Sequence, residues 1–118
     1  MMAEELKDKF GRVFALKAAD ELLQEDVELW NRTYVQLRAV GLAEQRGAQL
    51  RAGIVAKWIT SPETAVEERV DLETGRRWKV YLLDGVDVAK MRPAEVSYYG
   101  RQCERLFGEV TTVEDEKN

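Results

Sequence analysis

An amphipathic segment at residues 26–42 constrains how this chain can fold more than any other. Its apolar residues recur at steps of three, four and three, which places them along one face of a helix: Val27, Trp30, Tyr34 and Leu37. Gly41 predicts the helix end, because glycine takes the left-handed conformation cheaply, and Leu42 can then fold back onto Leu37. Each aromatic side chain stabilises the fold by roughly 1.5–3 kcal/mol only if another surface covers it. The stripe therefore needs a partner, either the next helix or a second copy of this one.

Length and composition indicate one globular domain. The chain has 118 residues, 45% of them hydrophobic and 34% charged, enough to bury about two-thirds of the unfolded surface. No apolar run reaches the roughly 20 residues of a membrane span, and the charged N-terminus carries no signal-peptide core. Cys103 is the only cysteine, so we expect no internal disulfide, no membrane contact and a cytoplasmic location.

Histidine is absent from the sequence, which removes the commonest general base and the commonest metal ligand. A cysteine nucleophile would lack its usual partner, and a Cys/His zinc site cannot be built within one chain. No pair stands out among the 22 acidic residues, and no glycine-rich phosphate loop is present. The sequence predicts a protein that is not an enzyme and has no catalytic residues, metal or cofactor. An enzyme that uses only carboxylates is the alternative.

Three further helices are predicted around the central one. The first covers residues 3–24 and is either continuous with the central helix or capped at Asp20 or Asp26. Another covers residues 43–59, where the short link at Gly41 makes it an antiparallel neighbour of the central helix. Its buried stripe would be Leu50, Ile54 and Trp58, while two glycines inside it indicate close approach of another backbone: Gly47 and Gly53.

The last helix is predicted to begin at Pro93 and to end at Phe107, with Gly108 just past its end. Its stripe would be Val96, Tyr99, Cys103 and Leu106. Cys103 is therefore predicted to be a small core residue rather than a reactive thiol. Residues 1–110 would form the domain and residues 111–118 an acidic flexible tail.

Between residues 66 and 83 the apolar period changes to two, which predicts a β-hairpin. Apolar residues alternate with other residues on both sides of a turn at Gly75: Val70 and Leu72, then Trp78, Val80 and Leu82. A three-residue loop would set Val70 against Trp78, whereas charge pairing favours Val70 against Val80. Both registers keep the apolar side chains on one face, so we expect Trp78 to be largely buried. The predicted fold class is α+β, mainly α, with a helical hairpin, this β-hairpin and a C-terminal helix.

Two basic groups are candidate DNA contacts, although the formal net charge is −4 and a monomer would attract phosphates weakly. One lies at the hairpin turn, since a β-ribbon can enter the major groove: Arg76, Arg77 and Lys79. The other lies in the predicted first helix: Lys7, Lys9 and Arg12. The alternative for both is a solvated face of mixed charge, because acidic residues lie close by.

Self-association is predicted from the central stripe. Val27, Trp30, Tyr34 and Leu37 form a surface wider than a neighbouring helix with two glycines can easily cover. We therefore expect a homo-oligomer whose interface buries part of it. Such an oligomer would repeat the few basic side chains and multiply their affinity for one duplex.

The order of elements resembles phage terminase small subunits, which recognise DNA in viral genome-packaging motors. Two pieces carry the resemblance over about a third of the chain: Leu29-Trp30…Tyr34…Leu37…Gly41 and Arg92-Pro93…Gln102…Leu106-Phe107-Gly108. The resemblance implies a ring that binds double-stranded viral DNA and regulates the large terminase subunit in the cytoplasm of a bacterial host. The basic N-terminal segment often seen in that family is missing, and no helix-turn-helix is evident. The alternative is a small regulatory or inhibitory protein that acts only by binding another protein.

Overall fold

The computed structural model describes residues 4–116. Over those residues the chain is α+β and mainly α, which confirms the predicted fold class. The helices are α1 (Gln24–Ala39), α2 (Gln45–Val55) and α3 (Pro93–Glu116). One antiparallel sheet contains β1 (Glu4–Lys7), β2 (Val13–Leu16) and β3 (Ile59–Thr60) in that order. The second contains β4 (Ala65–Val70), β5 (Arg77–Leu83) and β6 (Val86–Asp87), and short 3-10 turns occupy Ala19–Glu21 and Val88–Lys90.

The prediction of a helix over residues 3–24 is wrong. The described part of that segment forms the β1–β2 hairpin, in which Leu6 lies opposite Phe14, followed by a 3-10 turn. The Asp8 carboxylate accepts hydrogen bonds from the backbone N–H groups of Phe10 and Arg12, each at 2.9 Å, and Gly11 adopts φ +83°. A side chain that bonds its own backbone competes with the helix, and glycine completes the turn without strain.

Helix α1 ends as predicted. Gly41 has φ +69°, its N–H donates to the Arg38 carbonyl at 3.1 Å, and the Leu42 N–H donates to the Leu37 carbonyl at 3.1 Å. Both bonds of a Schellman ending are therefore formed. The helix begins at Gln24, where the Asp26 carboxylate accepts from the Leu23 N–H at 2.9 Å, so α1 is separate from the segment before it.

Helix α2 is shorter than predicted and ends at Val55. The Trp58 N–H donates to the Gly53 carbonyl at 2.9 Å, and Lys57 takes the left-handed conformation at φ +62°. This second Schellman-type ending turns the chain so that Ile59 pairs with Leu16 in the first sheet. Three predicted core residues are fully buried all the same: Leu50, Ile54 and Trp58.

The core lies where the three helices meet, and Trp30 is at its centre. Its ring stacks on Trp58 with centroids 4.9 Å apart, and Phe107 of α3 approaches within 5.0 Å. Its indole N–H donates to the Gln49 carbonyl at 3.3 Å. Helix α1 is therefore held by α2 and α3 together.

Close approach occurs mainly between α2 and α3. A Cβ on Gly53 would lie 2.5 Å from Cys103 Sγ, and one on Gly100 would clash with the Arg46 carbonyl. Another element does approach Gly53 closely, but the nearest atoms belong to the side chains of Cys103 and Ile59 and not to the predicted backbone. Gly47 is different, because a Cβ there would meet the Arg51 side chain of the same helix at 2.8 Å.

The β4–β5 hairpin is confirmed, but both predicted registers are wrong. Val70 lies opposite Arg77 and Glu68 opposite Lys79. The loop has four residues, 72–75, because the Asp71 N–H donates to the Arg76 carbonyl at 2.8 Å and the Asp71 carboxylate accepts from the Glu73 N–H at 2.8 Å. An odd shift in register moves one strand's side chains to the other face, so Val70 and Trp78 lie on opposite faces.

Helix α3 is longer than predicted. Its predicted stripe is confirmed for the three fully buried residues, Tyr99, Cys103 and Leu106. It does not end at Phe107, because Gly108 lies inside the helix, which continues to Glu116. The hydroxyl groups of Thr111 and Thr112 donate to carbonyls one turn earlier, at 2.7 and 2.6 Å. Residues 111–116 of the predicted tail are thus helical, and residues 117–118 lie outside the described part of the chain.

Candidate functional site

Residues 66–79 of the β4–β5 hairpin form an arm in which every side chain is exposed. Trp78 keeps 44% of its surface in contact with solvent, and Leu72 at the tip keeps 97%. The prediction that Trp78 is largely buried is therefore wrong. Both faces of the arm are exposed, since Val70 on the opposite face also keeps 44% of its surface in contact with solvent. Exposed apolar side chains that cluster usually mark a surface that binds something.

The arm carries two cations that no carboxylate of the described residues pairs with, Arg76 and Lys79. Two other arginines on the arm are paired: Arg69 with Glu67 at 3.0 Å, and Arg77 with Glu68 at 3.1 Å. Exposed pairs of this kind contribute little to stability. They do reduce the positive charge that Arg69 and Arg77 present to a ligand.

A groove of about 1080 Å³ lies between the arm and the C-terminal half of α1. Its walls combine apolar and cationic side chains. The apolar ones come from α1, from the link between α1 and α2, from α2 and from the arm: Leu37, Val40, Leu42, Val55 and Trp78. The cationic ones are Arg51, Arg76, Arg77 and Lys79, and Asp71 is the one carboxylate among the described lining. The groove is therefore a positively charged surface with apolar contacts.

Arg51 is the most buried cation of the groove. Its guanidinium carbon lies 5.7 Å from the centre of the Tyr81 ring, a cation–π distance. Burial lowers the pKa of Arg51, yet a guanidinium stays charged at neutral pH. Burial also raises the pKa of Tyr81, although Arg51 opposes that shift. Arg51 thus places a fixed charge in the groove, where solvent screens it less than the charges on the arm.

The structure brings together one predicted DNA-contact group and disperses the other. Arg76, Arg77 and Lys79 all line the groove. Lys7 and Lys9 are exposed on the β1–β2 hairpin, which belongs to the other sheet.

Arg12 has a structural partner instead. It forms an ion pair with Glu95 of α3, with Nη2 at 2.6 Å and Nε at 2.7 Å from the same carboxylate oxygen, and Glu95 is only 6% exposed. Removing one member of a buried pair would leave the other charge uncompensated. Arg12 therefore anchors the first hairpin to α3, and DNA contact through these residues remains a prediction.

Most of the predicted oligomer interface lies inside this chain's own core. Trp30 and Leu37 are buried, while Val27 and Tyr34 are half-buried against the same core. The covering surface comes from Trp58 and from Phe107 of α3, which the sequence reasoning did not place there. Self-association remains a prediction, and another apolar side chain of α1, Val35, is exposed.

Several residues of the groove were missed by sequence reasoning, among them Val40, Leu42, Arg51 and Trp78. Two signals were available. Val40 and Leu42 flank the glycine that ends α1, where a chain reversal exposes side chains. Trp78 lies inside the basic run Arg76-Arg77-Trp78-Lys79, a composition typical of a binding surface.

Other chemistry-bearing groups lie away from the groove. Cys103 is fully buried, and burial raises its pKa to about 12, so it is not a thiolate nucleophile. Among residues 4–116 no group of Cys, Asp and Glu side chains is arranged to hold a metal ion. In the same range no helix is long and apolar enough to span a membrane.

Comparison with models of protein families, with curated proteins and with solved structures found no match to this chain. The resemblance to terminase small subunits thus rests on the two sequence pieces alone.

Proposed function

We propose that this chain is a non-enzymatic protein-binding module whose groove holds a partner segment that is both acidic and apolar. The observation that carries the proposal is the convergence of four cations and a half-exposed tryptophan on one groove. Tryptophan and arginine are the residues most often responsible for binding energy at protein interfaces. Val40 and Leu42 are exposed on the opposite wall, so an apolar side chain of the partner would be covered from both sides.

A DNA-packaging adaptor similar to terminase small subunits is the second candidate. It is favoured by the position of the unpaired Arg76 and Lys79 on an exposed arm, where they can reach phosphates. However, residues 65–83 contain four basic and four acidic side chains, so the arm has no net positive charge. The apolar half of the groove would also serve no purpose against a duplex backbone. Binding to a protein segment uses both halves.

Fluorescence anisotropy with two labelled probes distinguishes the two functions. One probe is a peptide of alternating glutamate and valine residues, and the other is a short DNA duplex. We expect the peptide to bind, because it offers carboxylates and apolar side chains together. Trp78→Ala and the double variant Arg76→Glu, Lys79→Glu should each weaken that binding.

The matched control is the double variant Lys90→Glu, Arg101→Glu. It makes the same change in charge at exposed positions outside the groove, and it should bind the peptide as the parent does. Failure of the peptide to bind at low salt would overturn the proposal. Three results together would establish the DNA-packaging function instead. The protein would bind the duplex and have a large native mass, the double variant Arg76→Glu, Lys79→Glu would lose duplex binding, and Trp78→Ala would leave duplex binding unaffected.

A further inference from the structure

We infer that the partner segment binds as an added β-strand along the free edge of β5, an inference that rests on the proposed function. Strand β6 pairs with β5 only at Leu82 and Leu83. After Asp87 the chain enters a 3-10 turn and leaves the sheet. From Arg77 to Tyr81, β5 therefore has β4 on one side and, within the described residues, no strand on the other. An unpaired edge of this kind is a template for an incoming strand.

The turn between β5 and β6 shows which backbone groups face that edge. Asp84 and Gly85 both have positive φ, 54° and 75°, as a two-residue type I′ hairpin requires. The flanking residues, Leu83 and Val86, then exchange backbone hydrogen bonds, and alternate residues of β5 point the same way. The N–H and C=O groups of Arg77, Lys79 and Tyr81 are thus directed at this side of β5. The 3-10 turn at Val88–Lys90 packs against β5 beside the buried Tyr81, so Arg77 and Lys79 are the two that face the open edge.

The other side of β5 agrees with this assignment. The Asp71 N–H of the arm donates to the Arg76 carbonyl at 2.8 Å, so Arg76 directs its backbone toward β4. The backbone groups of Trp78 and Val80 also face β4, because alternate residues of a strand direct these groups to the same side. The groups of Arg77 and Lys79 are left for a ligand.

The open edge borders the groove. Successive residues from Arg76 to Lys79 all line it, and successive residues of a strand point to opposite faces. A groove that touches both faces runs along the edge of the sheet. Its other wall is α1, through Thr33 and Gln36, together with Val40 just past the end of that helix. An added strand would therefore lie between the sheet and α1.

The side chains of β5 specify what the added strand should carry. Residues directly opposite each other in an antiparallel pair share a face, and opposite charges there stabilise the pairing. Positions facing Arg77 and Lys79 should be acidic, whereas positions facing Trp78 and Val80 should be apolar. Glu68 already pairs with Arg77, and Asp71 adds one negative charge to the groove. Lys79, Arg76 and Arg51 still outnumber that one carboxylate, so the occupant is an alternating acidic and apolar segment.

Backbone methylation of the alternating peptide tests this binding mode. In one version the amide nitrogens that would face β5 are N-methylated, which removes the donors to Arg77 and Lys79. In the control version the other set of amides carries the methyl groups. We expect the first version to bind at least about tenfold more weakly than the control, since each lost hydrogen bond costs a factor of a few.

A charge exchange provides a second readout. Lys79→Glu should weaken binding of the glutamate peptide severalfold, and a peptide with lysine opposite position 79 should restore it, because cross-strand charges act in pairs. Two results would overturn the inference: equal binding of the two methylated peptides, or no rescue by the lysine peptide. The proposed function would survive either result as long as the unmodified peptide binds and Trp78→Ala weakens it. A peptide that does not bind at all would end both.

Discussion

Trp30 and Trp58 stack in the middle of the molecule, with ring centroids 4.9 Å apart and planes within 9° of parallel. One belongs to α1, and the other lies just past the end of α2. Both are almost completely buried, and Phe107 of α3 lies against both rings. This pair therefore joins all three helices, while the third tryptophan, Trp78, lies on the exposed arm.

Alanine substitutions should separate these two roles. Trp58→Ala removes a fully buried aromatic side chain and leaves a cavity, so we expect a loss of about 3–5 kcal/mol in the free energy of unfolding. Trp78→Ala removes a half-exposed side chain outside the core and should cost less than about 1 kcal/mol. Urea denaturation followed by far-ultraviolet circular dichroism measures both. Equal losses in the two variants would mean that Trp78 belongs to the core.

Lys57 offers a stabilising substitution. It occupies the left-handed position that ends α2, at φ +62°, where a residue with a Cβ is strained by roughly 1–2 kcal/mol. Lys57→Gly removes that strain but increases the entropy of the unfolded chain, so we expect a net gain of about 0.5–1 kcal/mol. Lys57→Ala is the control, because it deletes the exposed side chain and keeps the strain. A gain that appears equally with alanine would assign the effect to the lysine side chain.

Glu104 should make stability depend on pH. Its carboxylate accepts a hydrogen bond from Gln49 at 2.8 Å and pairs with Arg46 at 3.0 Å. These contacts, the Gln49 bond foremost, lower the pKa of Glu104 below its ordinary value of 4.5. A lowered pKa means that the native state binds this proton less readily than the unfolded state does. The stabilisation is thus fully present above pH 4.5 and is lost as the pH falls through the native pKa.

The variant Glu104→Gln measures this contribution. It should be less stable than the parent at pH 7, and the difference should shrink as the pH is lowered below 4.5. Urea denaturation at a series of pH values gives the comparison. A difference that stays constant down to pH 3 would show that the charge of Glu104 is not involved.

The sequence predicted the elements that depend on local features, such as a helix-ending glycine or a regular spacing of apolar residues. The end of α1 depends on Gly41, and the buried faces of α2 and α3 follow from apolar periodicity, so these were found. The β1–β2 hairpin was missed because Leu6, Phe10 and Phe14 also fit a helical stripe, whereas its turn depends on one carboxylate, Asp8. The apolar residues of segment 3–24 were therefore assigned a helical period, although most of the segment forms strands.

The candidate site was predicted only in part, because tertiary packing decides which part of the hairpin the core covers. Arg76, Arg77 and Lys79 were selected because they are basic and lie near a turn. Trp78 shares a face with the buried Val80, yet it lies in the part of the hairpin where both faces are exposed. Apolar alternation shows which residues share a face but not how far the core covers the strand. The contribution of Arg51 depends on how α2 packs beside the arm, which no local pattern encodes.

Two glycines of α3 should respond in opposite ways to alanine. A Cβ on Gly100 would clash with the backbone carbonyl of Arg46, where α2 and α3 pack most closely, whereas a Cβ on Gly108 would meet nothing within 4 Å. Both positions lie inside the helix, where alanine is favoured over glycine by about 1 kcal/mol. Gly108→Ala should therefore raise the free energy of unfolding by up to about 1 kcal/mol.

Gly100→Ala gains the same helical preference but must separate the two helices, and overpacking of this kind costs about 1–3 kcal/mol or more. The separation would also strain the contact of Gln49 and Arg46 with Glu104, which spans the same pair of helices. We expect a net loss of stability and, in addition, a weaker effect of Glu104→Gln in the Gly100→Ala background. Thermal and urea denaturation of the four variants in a double-mutant cycle give both quantities. If the two alanine variants shift stability in the same direction, α2 and α3 do not pack at Gly100 as described.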